Sequence, residues 1–176
     1  MGNRQSRYFL LFACLAYCAL FTYIANAPRI FANQFGMTGL DFALLFAISG
    51  LGIILGQSVN RAFLPRLGIL AMLRIASLNL VIASVGIGLL SAYGDLQAWQ
   101  FTMLMFWFNT SFLAIISNTA TLCLEPHPKL AGLASAFYGC VTNTTGAAFI
   151  LLTVGFVGES TFHWAVVMMA LTTVTA

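Results

Sequence analysis

The sequence predicts an all-α membrane protein of six transmembrane helices, and three observations carry that prediction. Hydrophobic residues make up 61% of the 176 residues and charged residues only 6%, whereas a soluble domain carries about a quarter charged. The apolar residues fall in long runs separated by brief polar breaks, as helices crossing a bilayer require. All four prolines, Pro28, Pro65, Pro126 and Pro128, stand at the edges of those runs, where a residue without a backbone donor does least harm to a helix.

The first span, 8–27, follows Arg4 and Arg7. No small-residue cleavage site leads into a soluble domain, so this is a helix rather than a signal peptide. The second, 40–60, opens on Thr38-Gly-Leu-Asp41, which reads as a capping box with Asp41 favourably placed at the helix dipole. Gly52 and Gly56 lie four apart on one face of it, and small residues let backbones approach where lipid offers no hydrophobic pairing force. The third, 68–91, carries Arg74 one turn in, near enough to the surface to snorkel. The fourth, 98–124, holds Asn109, Ser111, Ser117 and Asn118, and the fifth, 129–156, holds the polar run Thr142 to Thr145. A second small stripe, Gly132, Ser135 and Gly139, marks the fifth span. The sixth, 161–176, ends without a basic or aromatic anchor and reaches only ~25 Å, so it reads as truncated.

Charge placement orients the bundle. With a cytoplasmic amino terminus, Arg4, Arg7, Arg61, Arg66, Arg74 and Lys129 fall inside and Arg29 alone outside, a strong positive-inside bias. Both termini are then expected in the cytoplasm. The scattered basic residues do not form a nucleic-acid patch. Cys14, Cys18, Cys123 and Cys140 lack zinc-like pairing with His127 or His163, so no metal is expected. Neither histidine has a nearby serine or acid arranged for nucleophilic work, no nucleotide loop occurs, and neither a catalytic residue nor a cofactor is expected. Asp, Glu, Lys and Arg are absent from the middle of every span. Intramembrane charges mark proton relays, so a proton-coupling carboxylate is expected outside this chain.

One stretch resembles a family motif. Gly56-x-x-x-Asn60-Arg61-x-x-x-x-Arg66-x-Gly68 is similar to the short cytoplasmic loop of major facilitator superfamily transporters, with Asn60 where the stronger copy has aspartate. Further stretches, Phe21-Thr-Tyr-Ile-Ala-Asn-Ala-Pro28, Phe35-Gly36, Phe42-x-x-Leu45-Phe46-Ala47, Asn118-x-Ala120 and Ala131-Gly-Leu-Ala-Ser-Ala136, resemble in order the bicyclomycin/chloramphenicol-resistance branch of drug:proton antiporters. The resemblance covers nearly the whole chain, as the carboxyl six-helix half of a twelve-helix carrier.

That resemblance implies half a transporter of the bacterial inner membrane, lining a cavity near the midplane and working by alternating access. In the family the coupling carboxylate belongs to the first half. Helices one and four would face the cavity, with Tyr17, Phe21, Phe108, Asn109, Phe112 and, from helix five, Asn143 as candidate lining residues. A greasy aromatic pocket with a few amides suits apolar, drug-like substrates. Gly52, Gly56, Gly132 and Gly139 are candidates for helix packing. The implied partners are the bilayer and an amino-terminal six-helix half or a second copy. The abrupt end at Ala176 makes a fragment the expectation. A non-transporting membrane subunit or degenerate remnant, and a homodimeric half-size carrier, remain alternatives.

Overall fold

The computed structural model describes residues 3–94, 96–157 and 166–171, and among them every regular element is helical. The helices are α1 (Arg4–Phe35), α2 (Gly39–Leu67), α3 (Ile69–Tyr93), α4 (Ala98–Leu124) and α5 (Ala131–Val157), with one 3₁₀ turn at Pro128–Leu130. Residues 166–171 are also helical, and the remainder of the sixth expected span, 161–176, lies outside the described residues. Helices α1 to α4 are each long and apolar enough to cross a membrane, and α5 has 27 residues, about 40 Å at the usual rise.

Helix α4 is the hub. It packs on α1, α2 and α3, while α5 packs chiefly along α1. In its most apolar stretch α4 is less apolar than α1, α2 or α3 in theirs, yet that stretch is the most buried, at 56% against 17% for α2. That inversion follows from the solvent. Lipid covers apolar side chains at no cost, so polar groups are what must be enclosed. The buried polar set among the described residues consists of Ser, Thr and Asn with no charged residue.

Two prolines expected at helix edges lie inside helices instead. Helix α1 runs through Pro28 to Phe35, and α2 runs through Pro65 to Leu67. Packing explains the first case. Beyond Pro28, the Phe31 ring meets Phe35, Phe42 and Phe101 at 5.6, 5.4 and 5.6 Å between centroids, and each such pair adds about 0.5–1.5 kcal/mol to area burial. Continuing the helix keeps Phe31 in that cluster, which outweighs one lost backbone bond. The helix then stops at Gly36, whose φ of 64° places it in the left-handed region, and the Met37 N–H closes on the Phe31 carbonyl at 3.0 Å.

Capping differs from expectation as well. Thr38 is the N-cap of α2 but its side chain makes no capping hydrogen bond. A reciprocal box forms instead at α4. There the Gln97 side chain accepts from the N3 backbone, and the Gln97 N–H donates to Gln100 Oε1 at 3.0 Å. The expected loop between α2 and α3 shrinks to Gly68 alone, with φ 82° and ψ 161°.

Candidate functional site

Two constellations bring together residues of functional interest. The first is the seam between α2 and α4, where Gly52, Gly56 and Asn60 follow one another at single-turn spacing and are all buried. A Cβ on Gly56 would run into the Thr110 carbonyl, and one on Gly52 into the Phe106 carbonyl and within 3.3 Å of Asn109 Cβ. This close approach puts side-chain amides within reach of the opposite helix. Asn109 Nδ2 donates to the Ser49 carbonyl at 2.9 Å. Asn60 and Asn118 form a reciprocal pair, at 3.0 Å from Asn118 Nδ2 and 3.4 Å from Asn60 Nδ2. Tyr23 joins from α1, its hydroxyl 2.8 Å from Ser49 Oγ. Because Ser49 Oγ already donates to the Phe46 carbonyl at 2.7 Å, Tyr23 is the donor. From α3, Asn79 Nδ2 donates to Ser111 Oγ at 3.0 Å.

The arginines of the resembled motif are not in a loop. Arg61 and Arg66 occupy the last turns of α2 and are exposed, with Arg66 favourably placed at the helix C-terminus. Among the described residues neither has an acidic partner. Asn60 turns to the Asn118 amide instead, as a neutral side chain should.

The second constellation is an aromatic wall. Tyr17 and Phe21 meet edge to face at 5.7 Å, and Tyr17 meets Phe112 of α4 at 5.7 Å. Tyr17 and Phe21 are half-buried. Gly146 of α5 closes behind them, since a Cβ there would lie 2.9 Å from the Phe21 ring and 3.3 Å from the Tyr17 carbonyl. Phe108 is fully buried in the core, and Asn109 turns to α2, so neither stands on the wall. Asn143 is exposed on α5, its amide donating to the Gly139 carbonyl at 2.8 Å. Gly132 and Gly139 meet no atom within 4 Å of a notional Cβ. Within the described chain, Gly146 is the α5 glycine that makes a close approach.

A third group escaped the sequence reading because its members are more than a hundred residues apart. Ser6 Oγ donates to the Cys123 carbonyl at 2.9 Å and lies 3.1 Å from His127 Nε2, and Gln5 Nε2 donates to the Leu122 carbonyl and to Glu125 Oε2, both at 3.1 Å. His127 therefore does have a serine beside it. Its polarity is wrong for nucleophilic work. The Ser6 proton is committed to Cys123, so Nε2 must donate rather than accept, and Ser6 is fully buried. The contacts lash the first turn of α1 to the end of α4.

No protein-family model matches the chain. Two relatives do. The chain is 28% identical over 128 residues to an uncharacterized MFS-type transporter, YdgK, of Bacillus subtilis, covering 72% of this chain and 31% of that protein. It is 24% identical over 139 residues to a bicyclomycin resistance protein homolog of Haemophilus influenzae, covering 79% of this chain and 35% of that one. The matched part is about a third of each relative's length. No solved structure matches. These likenesses, with the apolar helices, support a multi-pass membrane protein of the major facilitator superfamily and a part in membrane transport.

Proposed function

We propose that the chain is the carboxyl six-helix half of a proton-coupled multidrug efflux carrier of the bicyclomycin/chloramphenicol-resistance type. It sits in the bacterial inner membrane with both termini cytoplasmic. The observation that carries this reading is the half-buried pair Tyr17 and Phe21 on α1, backed by the buried ring of Phe112 on α4. Aromatic faces with few polar groups suit apolar, drug-like substrates. The Haemophilus influenzae relative, whose name is that of a resistance protein, supports the substrate class. An amino-terminal half or a second copy supplies the opposite wall and the proton acceptor, and the two rock against each other to expose the site alternately.

Drug accumulation in cells expressing this chain alone, and together with an amino-terminal six-helix half, tests the proposal. The chain alone is expected to give no efflux. The pair is expected to give efflux that an uncoupler abolishes, and Phe112→Ala should weaken it about tenfold by removing the buried ring that holds Tyr17 in place. Uncoupler-sensitive efflux by the chain alone would replace this reading with a homodimeric carrier. Absence of efflux in both settings would leave a non-transporting subunit. Orientation is checked separately in a Cys140→Ser background. Arg61→Cys should react with an impermeant maleimide only after the cells are permeabilised.

A further inference from the structure

Helices α1 and α3 both pack on α4 and scarcely touch each other, and among the described residues the cleft between them is open at the end of the bundle where both begin. It holds a cavity of about 230 Å³ lined by Tyr8, Phe9, Phe12, Leu73, Arg74 and Ser77, among others. Its floor and mouth differ in chemistry. Phe12 and Leu73 are buried, and Phe9 is half-buried. Tyr8 and Arg74 are exposed. Ser77 is already committed, its Oγ donating to the Leu73 carbonyl at 2.9 Å, so the donors free to meet a ligand are the Arg74 guanidinium and the Tyr8 hydroxyl.

Arg74 lies about 8 Å along α3 from its first residue, deeper than the arginines at helix ends. Exposed at that depth, its guanidinium reaches the level of lipid headgroups, and among the described residues no acidic side chain pairs with it. Glu125, the acid at this end, is held by Gln5. Arg4, Arg7, Arg61 and Arg66 stand at the same end and are exposed, so the local field selects negative charge. Leu70, half exposed on the flank, continues the apolar floor onto the surface that lipid covers.

We infer that this cleft is a binding site for one anionic phospholipid. Its phosphodiester is held by Arg74 and Tyr8, and an acyl chain lies along Phe9, Phe12, Leu70 and Leu73. Guanidinium fits this role because its paired donors match two phosphate oxygens. The inference requires the chain to be in a membrane and is independent of what it transports.

Native mass spectrometry of the full chain tests it, with phosphatidylglycerol, acyl-matched phosphatidylcholine and inorganic phosphate titrated in mild detergent. One phosphatidylglycerol is expected to bind about tenfold more tightly than phosphatidylcholine, a charge-assisted pair making the difference. Arg74→Gln should abolish the preference, and Arg74→Lys, which keeps the charge and the fold but loses the fork, should retain less than half of it. Arg4→Gln removes the same charge from the same end and should reduce the preference only slightly. Equal losses in Arg4→Gln and Arg74→Gln would overturn the site in favour of a diffuse positive surface. Displacement of the lipid by millimolar phosphate, or equal binding of the two lipids to the unmodified chain, would overturn it too.

Discussion

Gly56→Val is expected to prevent accumulation of folded protein, the largest effect of any single substitution considered. Helices α2 and α4 share the most extensive contact in the bundle, and at Gly56 the α4 backbone passes where a side chain would begin, with the Thr110 carbonyl in the way. A side-chain neighbour could turn aside; a helical carbonyl cannot. The helices must separate. In doing so they stretch the Asn109–Ser49 and Asn60–Asn118 bonds on either side of the contact, each enclosed and without water to replace it. Overpacking and broken polar pairs together cost about 3–5 kcal/mol, a large part of the stability of an ordinary domain. Gly50→Ala on the same helix is the control, because nothing lies within 4 Å of a Cβ there, and its effect should stay within about 0.5 kcal/mol. Thermal unfolding in detergent, followed by fluorescence-detected size exclusion, distinguishes the two. A Gly56→Val protein that melts with the parent would show that the helices are not held as close as described.

The glycines show what could be read in advance and what could not. Spacing alone marks Gly52 and Gly56 on α2, and Gly132 and Gly139 on α5, as stripes of the same kind. Among the described residues only the first pair meets a neighbouring helix. A small-residue face permits close approach but carries no information about what approaches. That depends on the arrangement of other helices, or on surfaces supplied from elsewhere. Gly146, which does meet α1, continues the seven-residue spacing of Gly132 and Gly139, and spacing alone does not say which member of such a series is the one in contact.

The first four helices were legible as apolar spans for a different reason. Lipid imposes length and apolarity on each helix independently, so local composition suffices to find them. Pro28 marks the edge of that logic. A proline is a local signal for a break, yet Phe31 is held by aromatic rings from α2 and α4, and tertiary packing overrides the local preference. The contact between Ser6 and His127 is equally invisible in sequence, since residues with a separation of 121 meet only once the bundle has formed. Tyr17 and Phe21 were identifiable as neighbours one turn apart; that Phe112 joins them and Phe108 does not depends on the rotation of α4, which consecutive polar residues such as Asn109, Thr110 and Ser111, pointing to different faces, leave undetermined.

Asn118→Leu should destabilise the bundle by about 1–3 kcal/mol, because it leaves the Asn60 amide enclosed with its partner gone. Both residues are almost fully buried, at 3% and 2% exposure, so neither can turn to water. Asn60→Leu should cost a similar amount for the same reason. The informative variant is the double replacement. With both amides gone, no orphaned group remains, and two leucines pack where two asparagines paired. Its cost should fall below the sum of the single costs by about 1 kcal/mol, toward the upper part of what interhelical pairs in membranes contribute. Unfolding by sodium dodecyl sulfate in mixed micelles measures all three. Strict additivity would mean that the two amides do not depend on each other, and the seam would then be held by glycine-mediated backbone contact alone. A coupling of the expected size would instead give Asn60 a structural reason to be an amide at the position where the resembled motif places an acid, since a carboxylate could accept from Asn118 but could give nothing back.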